Sequence, residues 1–389
     1  MDDTGANLVF GWRTALLGLA SLQIALLAVA LARAERNRPA NRILAGLLAA
    51  LIGVMTPYTI GFAGFYDRWP ELSYTPFALT LLMGPLAWAY VVALTAGRAP
   101  RRLWLHLVPG GLQLLYGALM VLQPLSARNA WDEAVDHPLI SPLVSVAVLA
   151  GLAAYSVAAL ARLRRYRRWL EDQRSDDSRY AARWLGRVLL AVLAVLAAWG
   201  GFWLWDLAVA RLDYFGEFPL YLALAAIGGY LAVEGWRHAG RAFPAMPDEA
   251  APALPPEGDL ERWRRLGREW AERTRREGWA ADPDLSLAGL AARLGTNTGY
   301  LSRAVNLGLG VNFSAFVNGL RCEAVAQALS EGRDGDLLDL ALEAGFASKA
   351  SFNRAFRAAY GVSPSAWRAR SVSEAENIAP PPDLRRADD

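Results

Sequence analysis

Residues 337–368, LLDLALEAGFASKASFNRAFRAAYGVSPSAWR, decide the fold of the C-terminal part of this chain. Leu337, Leu340, Ala341 and Ala344 recur at helical spacing and share one face. Gly345 offers a left-handed turn, Ser348 a cap, and Phe352, Ala355 and Phe356 the buried face of a second helix. Fifty residues earlier the arrangement is already present. Leu287, Leu290, Ala291 and Leu294 form a face, Gly295 a turn, Asn297 a cap, and Tyr300, Leu301, Ala304 and Val305 the next face. Ala291 and Gly295 map onto Ala341 and Gly345 at offset 50, whereas Asn297, Leu301, Arg303 and Val305 map onto Ser348, Phe352, Arg354 and Phe356 at offset 51. The second turn is therefore one residue longer.

A small residue followed four positions later by a turn glycine lets two helices cross closely at a steep angle. A helix-turn-helix has that requirement, because its second helix must stand clear to enter the major groove of DNA. One such match in an alanine-rich chain is weak; two in register, each with a cap and an apolar face, are strong. Between the units, residues 312–331 read as one long helix with Phe313, Phe316, Val317, Leu320, Val325 and Leu329 apolar. Such a rod fixes the separation of the two recognition helices, and reading successive grooves on one DNA face requires roughly 34 Å.

These residues carry a family resemblance. Leu290-Ala291, Tyr300-Leu301-Ser302-Arg303, Gly310-Val311-Asn312-Phe313, Arg321, Ala344-Gly345-Phe346, Phe352-Asn353-Arg354-Ala355-Phe356 and Gly361-Val362-Ser363-Pro364-Ser365-Ala366-Trp367-Arg368 resemble the DNA-binding domain of AraC-type (AraC/XylS) transcription regulators. The likeness covers about residues 285–370. In the first unit Ala304-Val305-Asn306 stands where a bulky-Phe-Lys triplet is usual, which removes a basic residue. The cytosolic sugar-binding barrel usual in the family is absent. The resemblance implies a membrane-bound member with promoter DNA and RNA polymerase as partners, and no cofactor.

In helix-turn-helix geometry the residues just after each cap face the groove. These are Thr298, Gly299, Ser302 and Arg303 in the first unit, and Lys349, Ala350, Ser351, Asn353, Arg354 and Arg357 in the second. Arg303 and Arg354 suit guanine edges and Asn353 adenine; Lys349 and Arg357 suit phosphates. Any one of these arginines could instead be a solvated helix surface. Arg321 reads as a structural hydrogen bonder to neighbouring turns. Residues 258–370 hold sixteen basic against thirteen acidic groups, so affinity for random DNA should be modest and salt-sensitive.

Upstream of about residue 240 the composition changes. Seven stretches approach the ~20 apolar residues needed to cross ~30 Å of hydrocarbon: about 14–32, 42–62, 75–96, 103–123, 139–161, 184–208 and 215–236. The expected fold is all-α, a seven-helix transmembrane bundle followed by a domain with two helix-turn-helix units joined by a long helix. The expected limits are a membrane domain over 1–239, a proline-rich linker over 240–258, a DNA-binding domain over 259–370 and a disordered tail over 371–389. Within the DNA-binding domain, a coupling helix over 259–278 precedes units over 286–306 and 337–357. Leu260, Trp263, Leu266 and Trp270 give that coupling helix a face to pack inward; a membrane surface or a dimer seam are its alternatives.

Alternate connections hold fifteen arginines against four. By the positive-inside rule the N-terminus lies outside and the C-terminal domain in the cytoplasm. The expected location is therefore the bacterial inner membrane, with the lipid bilayer a partner. Met1-Asp2-Asp3 is acidic where a signal peptide is basic, so the first span reads as permanent. Aromatics crowd the sixth and seventh spans. Trp203, Asp206 and Tyr214 there are candidates for a small-molecule or envelope ligand, against the alternative of an interfacial aromatic belt.

Composition narrows the remaining classes. The chain has 389 residues, 54% hydrophobic and 20% charged, and of 40 Lys+Arg only Lys349 is lysine. A retinal pigment needs a lysine in its last membrane helix, and none is there. Cys322 is the only cysteine and His106, His137 and His238 lie far apart, so a disulfide framework and a metal centre are poor expectations. The spans hold no His-Glu-x-x-His or Gly-x-Ser-x-Gly motif, which points away from an enzyme. A membrane enzyme or transporter with a regulatory DNA-binding domain is the alternative class, and a constitutive regulator merely tethered by its spans is another. A homodimer is a further candidate partner, though no heptad pattern specifies one.

Overall fold

The computed structural model describes residues 8–175, 182–208, 216–247, 260–333 and 335–369; the side chains of 196 and 198–208 lie outside that description. The protein is all-α, with no β-strand among the described residues. It divides into two compact units, Met1–Tyr166 with Ala182–Glu249, and Arg167–Ala181 with Ala250–Asp389.

The first unit holds α1 (Trp12–Arg33), α2 (Arg38–Gly61), the short α3 (Phe65–Arg68), α4 (Met83–Ala96), α5 (Leu103–Val121), α6 (Leu125–Trp131), most of α7 (Ser141–Gln173), α8 (Arg183–Ala208) and α9 (Phe218–Ala239). Five helical stretches are long and apolar enough to cross a membrane by length and composition: α1, α2, α5, the run Leu125–Gln173 and α9. Leu17, Leu51, Met55, Phe218 and Ala225 form a core shared by α1, α2 and α9. Gly228 and Gly235 permit that packing, since a Cβ at either would fall 2.2 Å from Leu51 or 2.4 Å from Leu44. The outer faces are apolar as well. Leu19, Leu22 and Leu26 on α1 and Trp104, Leu112, Leu115 and Leu119 on α5 are exposed, a quantity of open apolar surface that water does not favour.

Two of the expected spans have different limits. The stretch over 75–96 is helical only from a 3-10 turn at Thr80–Leu82 onward. Pro76 holds Thr75 extended at φ −69° and ψ 129°, as the residue before a proline prefers. The stretch over 139–161 continues as helix to Gln173. Arginines are good helix formers, so the charge run that ends the apolar segment does not end the helix. At 33 residues, α7 is roughly 50 Å long, well beyond the ~30 Å of a hydrocarbon core. Its residues from Arg167 onward group with the second unit.

The second unit holds α10 (Leu260–Arg276), α11 (Leu287–Leu294), α12 (Thr298–Arg303), α13 (Phe313–Ser330), α14 (Leu337–Glu343) and α15 (Lys349–Tyr360). It has two cores. One gathers Leu287, Leu290, Ala291, Leu294, Leu301 and Val305, with Phe313, Phe316, Val317 and Leu320 from α13. The other gathers Leu340, Ala341, Phe346, Phe352 and Phe356, with Cys322, Val325, Ala326 and Leu329 from α13. The long connecting helix expected over 312–331 thus serves both cores, its first half in one and its second half in the other. Asn312 caps it, accepting from Ala315 N at 2.8 Å.

Helix α10 packs inward. Trp263 is buried, and Trp270 and Ala271 lie against the first core. Gly267 and Gly308 allow the close approach, because a Cβ on Gly308 would meet the Trp263 carbonyl oxygen at 2.2 Å. Residues 248–259, which include Pro252, Pro255 and Pro256, and residues 370–389 lie outside the described residues.

Candidate nucleic-acid interface

Both units turn by the same backbone device. Gly295 has φ 73°, Gly345 φ 98°, and each follows a helix whose last turn is closed by a bond spanning five residues. Thr296 N donates to Ala291 O at 2.9 Å, and Phe346 N donates to Ala341 O at 2.9 Å. These are the donors of a Schellman closure. Asn297 then caps α12, accepting from Tyr300 N at 2.9 Å, and Ser348 caps α15, accepting from Ser351 N at 3.2 Å. The extra residue of the second turn lies between Gly345 and its cap, as the repeat offsets require. Ala291 and Ala341, the small residues of the two crossings, are 2% and 0% exposed.

Past α15, Gly361 at φ 73° ends the helix. Ser363 accepts from Ala366 N at 3.2 Å, which starts a further helical stretch over 364–369. Trp367 from that stretch packs tilted against Tyr360 with ring centres 4.6 Å apart and meets Phe356 edge-on at 6.1 Å. The Gly-x-Ser-Pro-x-x-Trp run is therefore a clamp on the back of the second recognition helix.

The residues expected at the groove divide as follows. Thr298, Gly299, Lys349, Ala350, Arg354 and Arg357 are exposed, and Ser302, Arg303 and Asn353 half-buried. Ser302 accepts from Asn306 Nδ2 at 3.2 Å. Ser351 does not belong with them. It is 8% exposed, and its hydroxyl donates to Ser348 O at 2.8 Å, so the cap itself draws it inward. A second correction concerns Tyr300, expected on the buried face but 39% exposed. It lies edge-on to Trp263 at 5.5 Å, with the Arg262 guanidinium 5.9 Å from its ring centre. The helix α10 covers that side of α12, and the phenol keeps access to water.

Some arginines of the unit are ion-paired, Arg264 with Glu261 at 2.9 Å, Arg275 with Glu323 at 2.7 Å, Arg293 with Asp282 at 2.6 Å and Arg333 with Glu343 at 3.1 Å, while Arg262, Arg265, Arg268 and Arg273 on α10 pair with no carboxylate among the described residues. Arg303, Lys349, Arg354 and Arg357 pair with no carboxylate among the described residues. Four cations on two parallel-built helices keep their charge for an external anion. Unpaired cations on these helices are what an anionic backbone would meet, on a unit whose overall charge surplus is small.

Arg321 is the functional-looking residue that turns out structural. It is 1% exposed. Its Nε donates to Ala280 O at 2.7 Å, its Nη2 to Asp282 O at 2.7 Å, and its Nη1 to Asn318 Oδ1 at 3.3 Å. The expectation of hydrogen bonds to neighbouring turns is met, and no DNA contact is available to it.

Of the residues suggested for an extracytoplasmic ligand, Trp203 and Asp206 fall in α8, where side chains lie outside the description, and Tyr214 lies outside the described residues altogether. The structure does group other aromatics of the cluster. Tyr58 stacks on Tyr221 with ring centres 3.5 Å apart and donates to Glu217, while Phe218 meets Phe62 and Trp12 edge-on at 5.6 and 5.1 Å. Partners from α1 and α2 complete that cluster, which no sequence spacing could have indicated.

A family described as "Helix-turn-helix domain" matches residues 290–370. Uncharacterized HTH-type transcriptional regulators of Staphylococcus aureus strains MSSA476 and MW2 are each 35% identical over 94 residues, which is 24% of this chain and 12% of theirs. The chain thus spans only a small part of the length of these curated relatives. No solved structure matches it. Residues 290–370 are thus similar to a helix-turn-helix domain, in agreement with the two turn–cap–helix units of the fold.

Proposed function

We propose that this protein is a transcription regulator anchored in the bacterial inner membrane, which converts a signal received by its N-terminal helices into promoter binding by α12 and α15. The observation that carries the reading is the pair of equivalent turn–cap–helix units whose Arg303 and Arg354 stand at the same register, uncompensated by any carboxylate among the described residues. Arginine at such a position reads guanine O6 and N7 with two donors, and Asn353 beside it suits adenine. Lys349 and Arg357 would hold phosphates and set register.

Anchoring is supported by the five long apolar helices and their exposed leucine faces, and the arginine distribution favours a cytoplasmic position for the DNA-binding domain. In this reading seven spans form the sensor: α8 and the shorter apolar helix Thr80–Ala96 join the five. The signal enters from the envelope side, and RNA polymerase and a second copy of the chain are the protein partners. Chromatin immunoprecipitation with sequencing tests this directly. The full chain should enrich discrete promoters, and Arg303→Ala with Arg354→Ala should erase the peaks; uniform enrichment across the chromosome would overturn it.

A further inference from the structure

Helix α7 does not stop where its apolar segment ends, and the residues after it are held by the first helix-turn-helix half. Ser175 is 2% exposed. Its amide and its hydroxyl both donate to Leu285 O, at 3.3 and 3.0 Å. Its hydroxyl accepts from Arg321 Nη2 at 3.0 Å. Its carbonyl accepts from Ser314 Oγ at 3.2 Å and from Asn318 Nδ2 at 3.0 Å. Beside it Arg174 and Ser286 form an antiparallel bridge, and Ser286 is the cap of α11, accepting from Gly289 N at 3.1 Å. Every polar group of one serine is satisfied by four residues far away in sequence. A buried polar cluster so completely paired is costly to leave half-made.

The position of this contact matters more than its strength. Arg321 also holds the carbonyls of Ala280 and Asp282, and its guanidinium lies 5.7 Å from the ring centre of Phe346 in the second core. Ser175 therefore docks on the residue at which the two halves meet. On its other side Ser175 lies two residues past the end of α7, one helix of 33 residues from Ser141 to Gln173. Such a helix is stiff, whereas a proline-rich linker is only semi-rigid and carries little of a small displacement.

We propose that residues 167–175, the continuation of α7, are the coupling element through which the membrane helices act on the DNA-binding unit. A shift of α7 moves Ser175 against Arg321, and with it the relative placement of α12 and α15. This assignment rests on the DNA-binding reading above and takes the coupling role from the helix over 259–278, α10. Coupling is reciprocal between sites, so binding of DNA must alter the docking by the same factor by which docking alters the binding of DNA.

The test uses the full chain in lipid nanodiscs and a duplex that this chain selects from a random-sequence pool. Hydrogen exchange is followed over residues 170–176 with and without the duplex. The expected result is slow exchange of the Ser175 amide without DNA, a change of roughly fivefold or more on adding the duplex, and loss of both in Ser314→Ala with Asn318→Ala. The same double variant should bind the duplex with an affinity shifted at least fivefold, with exchange along α13 unchanged to show that the fold persists. Fast exchange at Ser175 in the unsubstituted chain would overturn the docking. Slow exchange that DNA does not change, with unaltered affinity in the variant, would overturn the coupling. Failure of the chain to select any duplex would instead sink the DNA-binding reading, while slow exchange in that case would still support the docking.

Discussion

The guanidinium of Arg321 lies 5.7 Å from the ring centre of Phe346, tying the second helix-turn-helix half to the carbonyls of the first. A buried cation with three carbonyl or amide acceptors and an aromatic face is compensated by dipoles. Arg321→Leu strands those acceptors in the interior. The expected cost is about 2–4 kcal/mol of stability in the second unit, measured by denaturant unfolding of the full chain in detergent. Lysine at this position should not rescue, because a point cation cannot reach Ala280 and Asp282 through two separate nitrogens.

Gly345→Ala should be more damaging than Gly295→Ala. Both glycines have positive φ, which alone disfavours a Cβ. At Gly345 the added carbon would also meet the Ala281 carbonyl oxygen at 2.6 Å, whereas at Gly295 nothing lies within 4 Å. The expected losses are roughly 1 kcal/mol at Gly295 and about 2–4 kcal/mol at Gly345. Thermal unfolding of the two variants under identical conditions checks the order.

Cys322 lies in the second core, and burial first, then the nearby Glu323 carboxylate, pushes its thiol up to about 12 from 9.0, against a smaller opposing effect of Arg321. The folded thiol is harder to ionise than the unfolded one. Its contribution to stability is therefore complete below about pH 9 and fades as pH rises toward 12. Alkylation of the folded chain at pH 8 should be slow and should accelerate with denaturant at the midpoint of unfolding. Rapid labelling without denaturant would contradict this placement.

Lys349→Ala and Arg354→Ala should differ in kind. Loss of a phosphate contact weakens binding to all sequences alike and lowers the salt slope by about one, while loss of a base contact costs about 1–3 kcal/mol and relaxes specificity at one position. Binding titrations at several salt concentrations, on a selected and a scrambled duplex, separate the two. Identical behaviour of the variants would refute the assigned roles.

The C-terminal fold was largely legible because helix periodicity, capping side chains and turn glycines are local signals: Asn297, Ser348, Gly295 and Gly345 could each be read within a few residues of where they act. The inward packing of α10 was legible for the same reason, from Trp263 and Trp270. What could not be read is what depends on partners distant in sequence. Ser175 carries no pattern, and only the fold brings it to Arg321 across 146 positions. Ser351 follows a cap at a position that geometry alone assigns to the groove, yet a single hydroxyl bond turns it inward. Tyr300 has an apolar ring at a core spacing, but α10 leaves its edge open. In the first unit, hydropathy located the apolar stretches, while the start of α4 and the length of α7 depended on Pro76 and on arginines that extend a helix after hydrophobicity ends.

DNase footprinting by the full chain on a selected duplex tests the central claim most directly. Two equivalent recognition helices held by α13 should protect two major-groove segments on one face of the duplex, centred about 10 base pairs apart, and Arg354→Ala should erase one segment while leaving weak contact at the other. A single protected segment, or protection indifferent to sequence and to Arg354, would contradict it.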